Sequence, residues 1–211
     1  MLPDIVVAVF LTVCISIFIT VNLGSMRKSR AGTEAGYPVK AEADGPNALI
    51  LASVALGTGI FFLESILYAV LLFSGLGTLL ADSPLQLRFV GDAWLQVAGM
   101  AVTASGYGLF LWSVLARGRY ATSWEMPQDQ KLVTWGPYRY VRHPSYLAYF
   151  ILFAGLFLLV LNLIALLPLV AVPGYVAITA AEEAMLTKRF GAAYREYERV
   201  TGRFLPKRRK D

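Results

Sequence analysis

Long apolar runs separated by short polar ones set the outline of this chain. Ile5 to Leu23 is almost wholly apolar, and a polar, glycine-containing stretch follows from about Gly24 to Pro46. A second apolar run lies within Asn47 to Leu80, with a small-residue end at Ser74-Gly75-Leu76-Gly77, and a third covers about Phe89 to Leu115. A helix needs about 20 apolar residues to cross a bilayer core, so each of these runs can form one span. Arg117 to Pro144 is polar, and Ser145 to Ala181 is again mostly apolar. That last run is too long for one crossing of ordinary thickness, and Asn162 lies near its middle. The pattern predicts an all-α polytopic membrane protein with five transmembrane helices, the last two a tight helical hairpin. Pro168 and Pro173-Gly174 predict a kink in the fifth.

Composition supports that class. Only 16% of the 211 residues are charged and 57% are hydrophobic, with a mean hydropathy of +0.58. Soluble domains average about 25% charged residues. The expectation is a single integral membrane domain over 1–211, with three N-terminal spans in 1–115 and a distinct core in 116–211. The first run lacks a basic leader and is longer than a signal-peptide core, which predicts a retained anchor. Cys14, the only cysteine, lies inside it and can form no internal disulfide.

Charge then orients the spans. With alternating sides, Arg27, Lys28, Arg30 and Lys40 share a side with the basic residues of 117–142 and with the tail from Lys188 to Lys210. Eighteen of the 19 Lys and Arg fall there, and only Arg88 lies opposite. Basic loops stay cytoplasmic, so the N-terminus is expected outside and the C-terminus inside. The net charge of +5 is then a signature of topology and of anionic headgroups, not of nucleic acid.

From Glu182 to Val200 apolar residues recur at helical spacing, through Met185, Leu186, Phe190, Tyr194, Tyr197 and Val200. This predicts a C-terminal cytoplasmic amphipathic helix continuing the fifth span. Glu182 and Glu183 stand where the span ends, a costly place for acids without a partner. Glu183 is expected to be either solvated or paired. Glu64 interrupts the second span, and an acid at that depth is usually functional or paired.

The densest chemistry lies between the third and fourth spans. Gly136 to Tyr146 packs Arg139, Arg142, the only histidine (His143), Tyr138, Tyr140 and Tyr146 against long apolar segments. Polar groups at a membrane boundary are costly unless they hold something. One histidine and one distant cysteine exclude a histidine-rich metal site and a Cys–His nucleophile, and no metal is expected. No phosphate-binding Walker loop is present. A reaction carried mainly by positioning fits better, and methyl transfer from a sulfonium donor is such a reaction. Tyrosines suit its cationic sulfur, and a carboxylate suits its ammonium or ribose hydroxyls.

Lys131-Leu132-Val133-Thr134-Trp135-Gly136-Pro137-Tyr138, followed by Arg142-His143-Pro144-Ser145-Tyr146, resembles the signature of the isoprenylcysteine carboxyl methyltransferase family. Glu182-Glu183, Phe190-Gly191, Tyr194, Tyr197 and Thr201-Gly202-Arg203-Phe204-Leu205-Pro206 resemble that family's C-terminal pattern. The resemblance covers roughly Ser123 to Lys207 and extends to the related phospholipid methyltransferases. It implies that 116–211 is a methyltransferase core binding S-adenosyl-L-methionine in an enclosed cytoplasmic pocket, with a lipophilic substrate arriving from the bilayer. By motif position, Gln130, Lys131, Leu132, Val133, Tyr138, His143, Pro144, Ser145, Tyr146 and Glu182 are the implied cofactor-binding residues. Arg142 and Arg203 are the candidate catalytic residues, Arg142 as a ligand for a substrate anion and Arg203 as a substitute anion ligand where the tail folds back. Tyr138 and Tyr146 have a plainer reading as interfacial aromatics, and Arg142 as a headgroup cation.

One position departs from the family. Its arginine four residues before the donor-binding glutamate, which helps hold a substrate carboxylate, is Ile178 here. An apolar side chain cannot neutralise a carboxylate inside a membrane. An uncharged or amine-bearing lipid is therefore as open an acceptor as a prenylcysteine. Two readings of other kinds stand beside methyl transfer: an NADPH-dependent sterol-type membrane reductase, whose Arg-His-Pro-x-Tyr turn is similar, and a non-catalytic member of the fold. The partners expected are a lipid substrate and membrane lipids, with no nucleic acid.

Overall fold

The structure is a computed structural model that describes residues 1–33, 39–40, 46–120, 125–126 and 130–207. It is helical, with helices α1 (Asp4–Thr33), α2 (Ala48–Phe73), α3 (Gly77–Ala81), α4 (Asp92–Arg117), α5 (Pro144–Val160), α6 (Ala171–Phe190) and α7 (Ala192–Val200). Val39–Lys40 pairs antiparallel with Glu125–Met126, a two-residue ribbon between the loops. Among the described residues, four helical segments are long and apolar enough to cross a membrane: Asp4–Ser25, Ala48–Phe73, Asp92–Arg117 and Leu163–Phe190. The protein is an integral membrane protein. Outward faces carry large aliphatics such as Leu56, Leu63, Val70 and Leu115, as a lipid-facing surface requires.

The boundaries differ from the hydropathy pattern where backbone geometry decides them. α1 continues past Leu23 into the stretch expected to be loop. α2 stops at Phe73 because Gly75 turns the chain at φ +70°, and five residues of α3 follow. The expected hairpin turn falls at Leu161 and Asn162, where Leu161 takes φ +51°. The arm that follows is not one α-helix. Leu163–Val170 winds as a 3₁₀ helix containing Pro168, and α6 begins only at Ala171. Pro168 has no N–H to donate, so the loss of regular α geometry there is local chemistry. The amphipathic helix expected over 182–200 is likewise divided. Residues 182–190 complete α6, Gly191 breaks the path at φ +55°, and only Ala192–Val200 forms α7.

Small residues let the helices approach closely. α4 and α5 run antiparallel, with Gly99 facing Leu159, Thr103 facing Gly155, and Ser113 bonded to Ser145. A Cβ on Gly155 would lie 2.7 Å from the Thr103 backbone nitrogen. α2 crosses α6 in the same way, Gly57 against Ala171 and Gly174 against Ser53. Between lipid-immersed helices, this close contact replaces the hydrophobic driving force available in water. Phe61, Phe153, Leu152, Leu156 and Tyr175 fill the space between.

The far end of the bundle shows how backbone polarity is managed. The carbonyls that end α5 have no helical partners. Gln96 Nε2 donates to Leu159 O at 2.9 Å, and Gln86 Nε2 donates to Val160 O and Leu161 O at 3.0 and 3.1 Å. Unsatisfied carbonyls are costly in hydrocarbon, which accounts for two glutamines in otherwise apolar surroundings.

Candidate functional site

The site forms at the opposite end, where α5 starts and α6 finishes. Three pieces of chain meet there. Gly136–Arg139 is a 3₁₀ turn whose Gly136, at φ +60°, sits against Ala116 at the end of α4. Trp135 Nε1 donates to Ala116 O at 2.9 Å and ties the turn to that helix. Val141 forms a parallel bridge with Gly202, so the C-terminal segment lies alongside the start of α5. Arg142 N donates to Gly202 O and His143 N to Arg203 O, at 2.8 and 3.1 Å. Tyr197 Oη adds a 2.6 Å bond to Tyr138 O from α7.

Those backbone contacts bring a dense charge cluster together. Glu183 is buried, with about 6% of its surface exposed. It accepts from Arg142 Nε at 2.8 Å and from Arg203 through both Nε and Nη2, and its Oε1 lies 3.1 Å from His143 Nε2. The solvated alternative for Glu183 is thereby corrected. Arg142 also donates to Thr201 O at 2.6 Å and Glu198 O at 3.3 Å, which uses its planar fork rather than leaving it to a headgroup. Arg203 is equally engaged and does not line the cleft described next.

On the other side of His143, Nδ1 lies 3.4 Å from Glu182 Oε2, while Tyr146 Oη donates to Glu182 Oε1 at 2.6 Å. The His143 and Tyr146 rings lie parallel, 5.7 Å between centroids. Burial pushes the imidazole pKa down, but the carboxylates of Glu182 and Glu183 on its two nitrogens outweigh burial and hold it above the ordinary value of 6.5. A group raised in this way contributes fully below 6.5 and loses its contribution as pH rises through the folded-state value. Thermal stability is therefore expected to fall as pH is raised from mildly acid toward alkaline. His143→Gln should flatten that profile, as followed by melting in detergent at a series of pH values.

Beside the cluster opens a cleft with about 750 Å³ of empty space, part of it open solvent. Gln130, Lys131, Leu132, Val133, Tyr138, Arg142, His143, Ser145, Tyr146 and Glu182 line it. Pro144 is the first residue of α5, buried behind that wall. Lining residues from outside the motif are Arg117, Tyr120, Met185, Leu186, Tyr194 and Tyr197. Tyr194 and Tyr197 had a sequence signal, as the apolar stripe of the tail, but they face protein and not lipid. Burial holds the phenols of Tyr138, Tyr194 and Tyr197 well above their usual range, so all three are neutral walls. Glu64 does not line the cleft. It is buried in α2, and neither carboxyl oxygen has a hydrogen-bond partner among the described residues.

The cleft also contains unmet polar atoms. Arg117 Nε, Gln130 Oε1 and Tyr194 Oη are buried with no hydrogen-bond partner among the described residues. Buried polar groups are nearly always satisfied, so three around one cleft make it suited to a polar partner. The structure thus places a charged and aromatic cleft at one end of a bundle of apolar helices.

Comparison with known proteins is more specific. Residues 94–193 match the family model described as phospholipid methyltransferase. The chain is 30% identical over 124 residues to the protein-S-isoprenylcysteine O-methyltransferase of Tribolium castaneum, covering 54% of this chain and 42% of that protein. A solved structure of a eukaryotic intramembrane Ras methyltransferase, isoprenylcysteine carboxyl methyltransferase, aligns at 22% identity and a TM-score of 0.48. That alignment covers 77% of this chain and 54% of the other. The chain thus spans about half the length of the relatives it matches. Over part of its length the chain is therefore similar in sequence to phospholipid and isoprenylcysteine methyltransferases.

Proposed function

We propose that this protein transfers the methyl group of S-adenosyl-L-methionine to a lipophilic acceptor resident in the membrane. The supporting observation is that the motif residues of 130–146 and Glu182, widely separated in sequence, share one cleft at the end of an apolar bundle. The sulfonium donor supplies its own leaving group, so the protein's part is alignment of two substrates. Glu182, held by Tyr146 and facing His143, offers a fixed carboxylate to the donor's polar end. Gln130 to Val133 supply the adjoining wall, and Tyr138, Ser145 and Tyr146 supply the opposite one. Neutral aromatic faces stabilise a positive sulfur without competing for the transferred methyl.

In this reading α5 is the fourth of five spans. Its 17 residues, about 25 Å of helix, are shorter than the other four segments, and its ends are tied by polar contacts. Charge partition places the cleft and α7 on the cytoplasmic side, with the N-terminus outside and 116–211 as the donor-binding core. Ile178 is buried on α6, one turn before Glu182. The guanidiniums of Arg142 and Arg203 are taken by Glu183. An acceptor with a free carboxylate therefore finds no cation at that position, which favours an amine-bearing phospholipid over a prenylcysteine.

Titration of purified protein with S-adenosylhomocysteine and with NADPH separates methyl transfer from reduction. Tight binding of the first and none of the second is expected. Glu182→Gln should weaken S-adenosylhomocysteine binding roughly 10- to 100-fold, the worth of a hydrogen bond to a charged group. Unchanged affinity would remove Glu182 from the donor site.

A further inference from the structure

The methyl donor carries an anion as well as two cations, and among the described residues that line the cleft one cation is left to meet it. Glu182 can meet a positive group. Arg142 is committed to Glu183 and to two backbone carbonyls, Arg203 to Glu183, and Lys131 is on the exposed rim. Arg117 remains. It stands in the last turn of α4, one turn after Ser113, whose Oγ lies 2.7 Å from Ser145 Oγ at the start of α5. The Trp135–Ala116 bond and the close seat of Gly136 on Ala116 press this end of α4 against the turn carrying Tyr138. Arg117 thus reaches the cleft wall shared by Tyr138 and Tyr146.

The plain alternative is a basic residue complementing the α4 dipole and extending into headgroups. Such a residue would keep its polar atoms in water or phosphate. Arg117 Nε is instead buried with no acceptor among the described residues. A guanidinium on a cleft wall with one buried N–H unmet suits an oxyanion, and carboxylate is the geometry its fork fits best. We propose that Arg117 is the ligand for the carboxylate of the donor's amino-acid end, across the cleft from Glu182. This rests on the methyl-donor reading above.

The test compares S-adenosylhomocysteine with its decarboxylated analogue, each titrated calorimetrically into the full-length protein, into Arg117→Gln and into Arg117→Lys. The wild-type protein should prefer the carboxylated ligand roughly 10- to 100-fold, as expected for a charge-assisted hydrogen bond. Arg117→Gln should abolish that preference while binding the decarboxylated analogue as the wild type does, and Arg117→Lys should restore part of it. A preference retained in Arg117→Gln overturns the assignment. So does an equal loss of both ligands, the mark of a structural role. If the wild type binds neither ligand, the methyl-donor reading itself falls.

Discussion

Replacing Glu183 with Ala should destabilise the protein by about 3–5 kcal/mol, the usual cost of leaving a buried charge without its partner. Arg142, with only 7% of its side chain exposed, would lose its carboxylate while remaining enclosed by Thr201 and Glu198. His143 would lose one of the two acids that hold it. The effect should extend along the chain, because Arg142 and His143 also carry the backbone bonds that seat Gly202 and Arg203 beside α5. Limited proteolysis of Glu183→Ala in detergent should therefore cut within the C-terminal segment well before the helices melt. Arg203→Ala is the useful contrast. Its side chain is 39% exposed, and a half-exposed ion pair is worth at most about 1 kcal/mol. Equal losses from the two variants would show that Glu183 acts at the surface and not as the hub of a buried cluster.

Gly99→Leu should cost about 3 kcal/mol or more, because the added atoms meet backbone and not a movable side chain. A Cβ there would collide with Leu159 N and the Leu158 carbonyl carbon across the α4–α5 interface. Overpacking that side chains can absorb costs about 1–3 kcal/mol, and this contact offers no such relief. Val97→Leu, on the exposed side of the same helix, should stay within about 0.5 kcal/mol. Melting temperatures in one detergent provide the comparison. A mild Gly99→Leu would mean that α4 and α5 are held by something other than close backbone approach.

Span positions and the cleft's location are legible in the sequence for different reasons. Hydrophobicity over some 20 residues is a summed property that local detail cannot reverse, so four of the five expected spans are membrane-length helices and the other is the 17-residue α5. The cleft was legible because its residues sit in ordered motifs at the ends of those runs. Single-residue geometry was not. Glu182 and Glu183 are neighbours on one helix, about 100° apart, and composition cannot say which faces the cleft and which the arginines. The Leu163–Val170 stretch has full helical hydrophobicity, yet Pro168 and the turn at Leu161 give it a 3₁₀ path. Arg117 stayed hidden inside a topological signal. It counts among the eighteen basic residues that the charge pattern assigns to one side, and its position at the packed end of α4 distinguishes it.

Transfer of labelled methyl from S-adenosyl-L-methionine, with the protein in bilayer nanodiscs and a panel of amine-bearing phospholipids and prenylcysteines as acceptors, tests the central claim most directly. Label should appear in the lipid-extractable fraction, favour the amine-bearing phospholipids, and fall in Glu182→Gln in step with its loss of donor affinity. Label incorporated equally by wild type and Glu182→Gln, or by neither with any acceptor, would contradict the account.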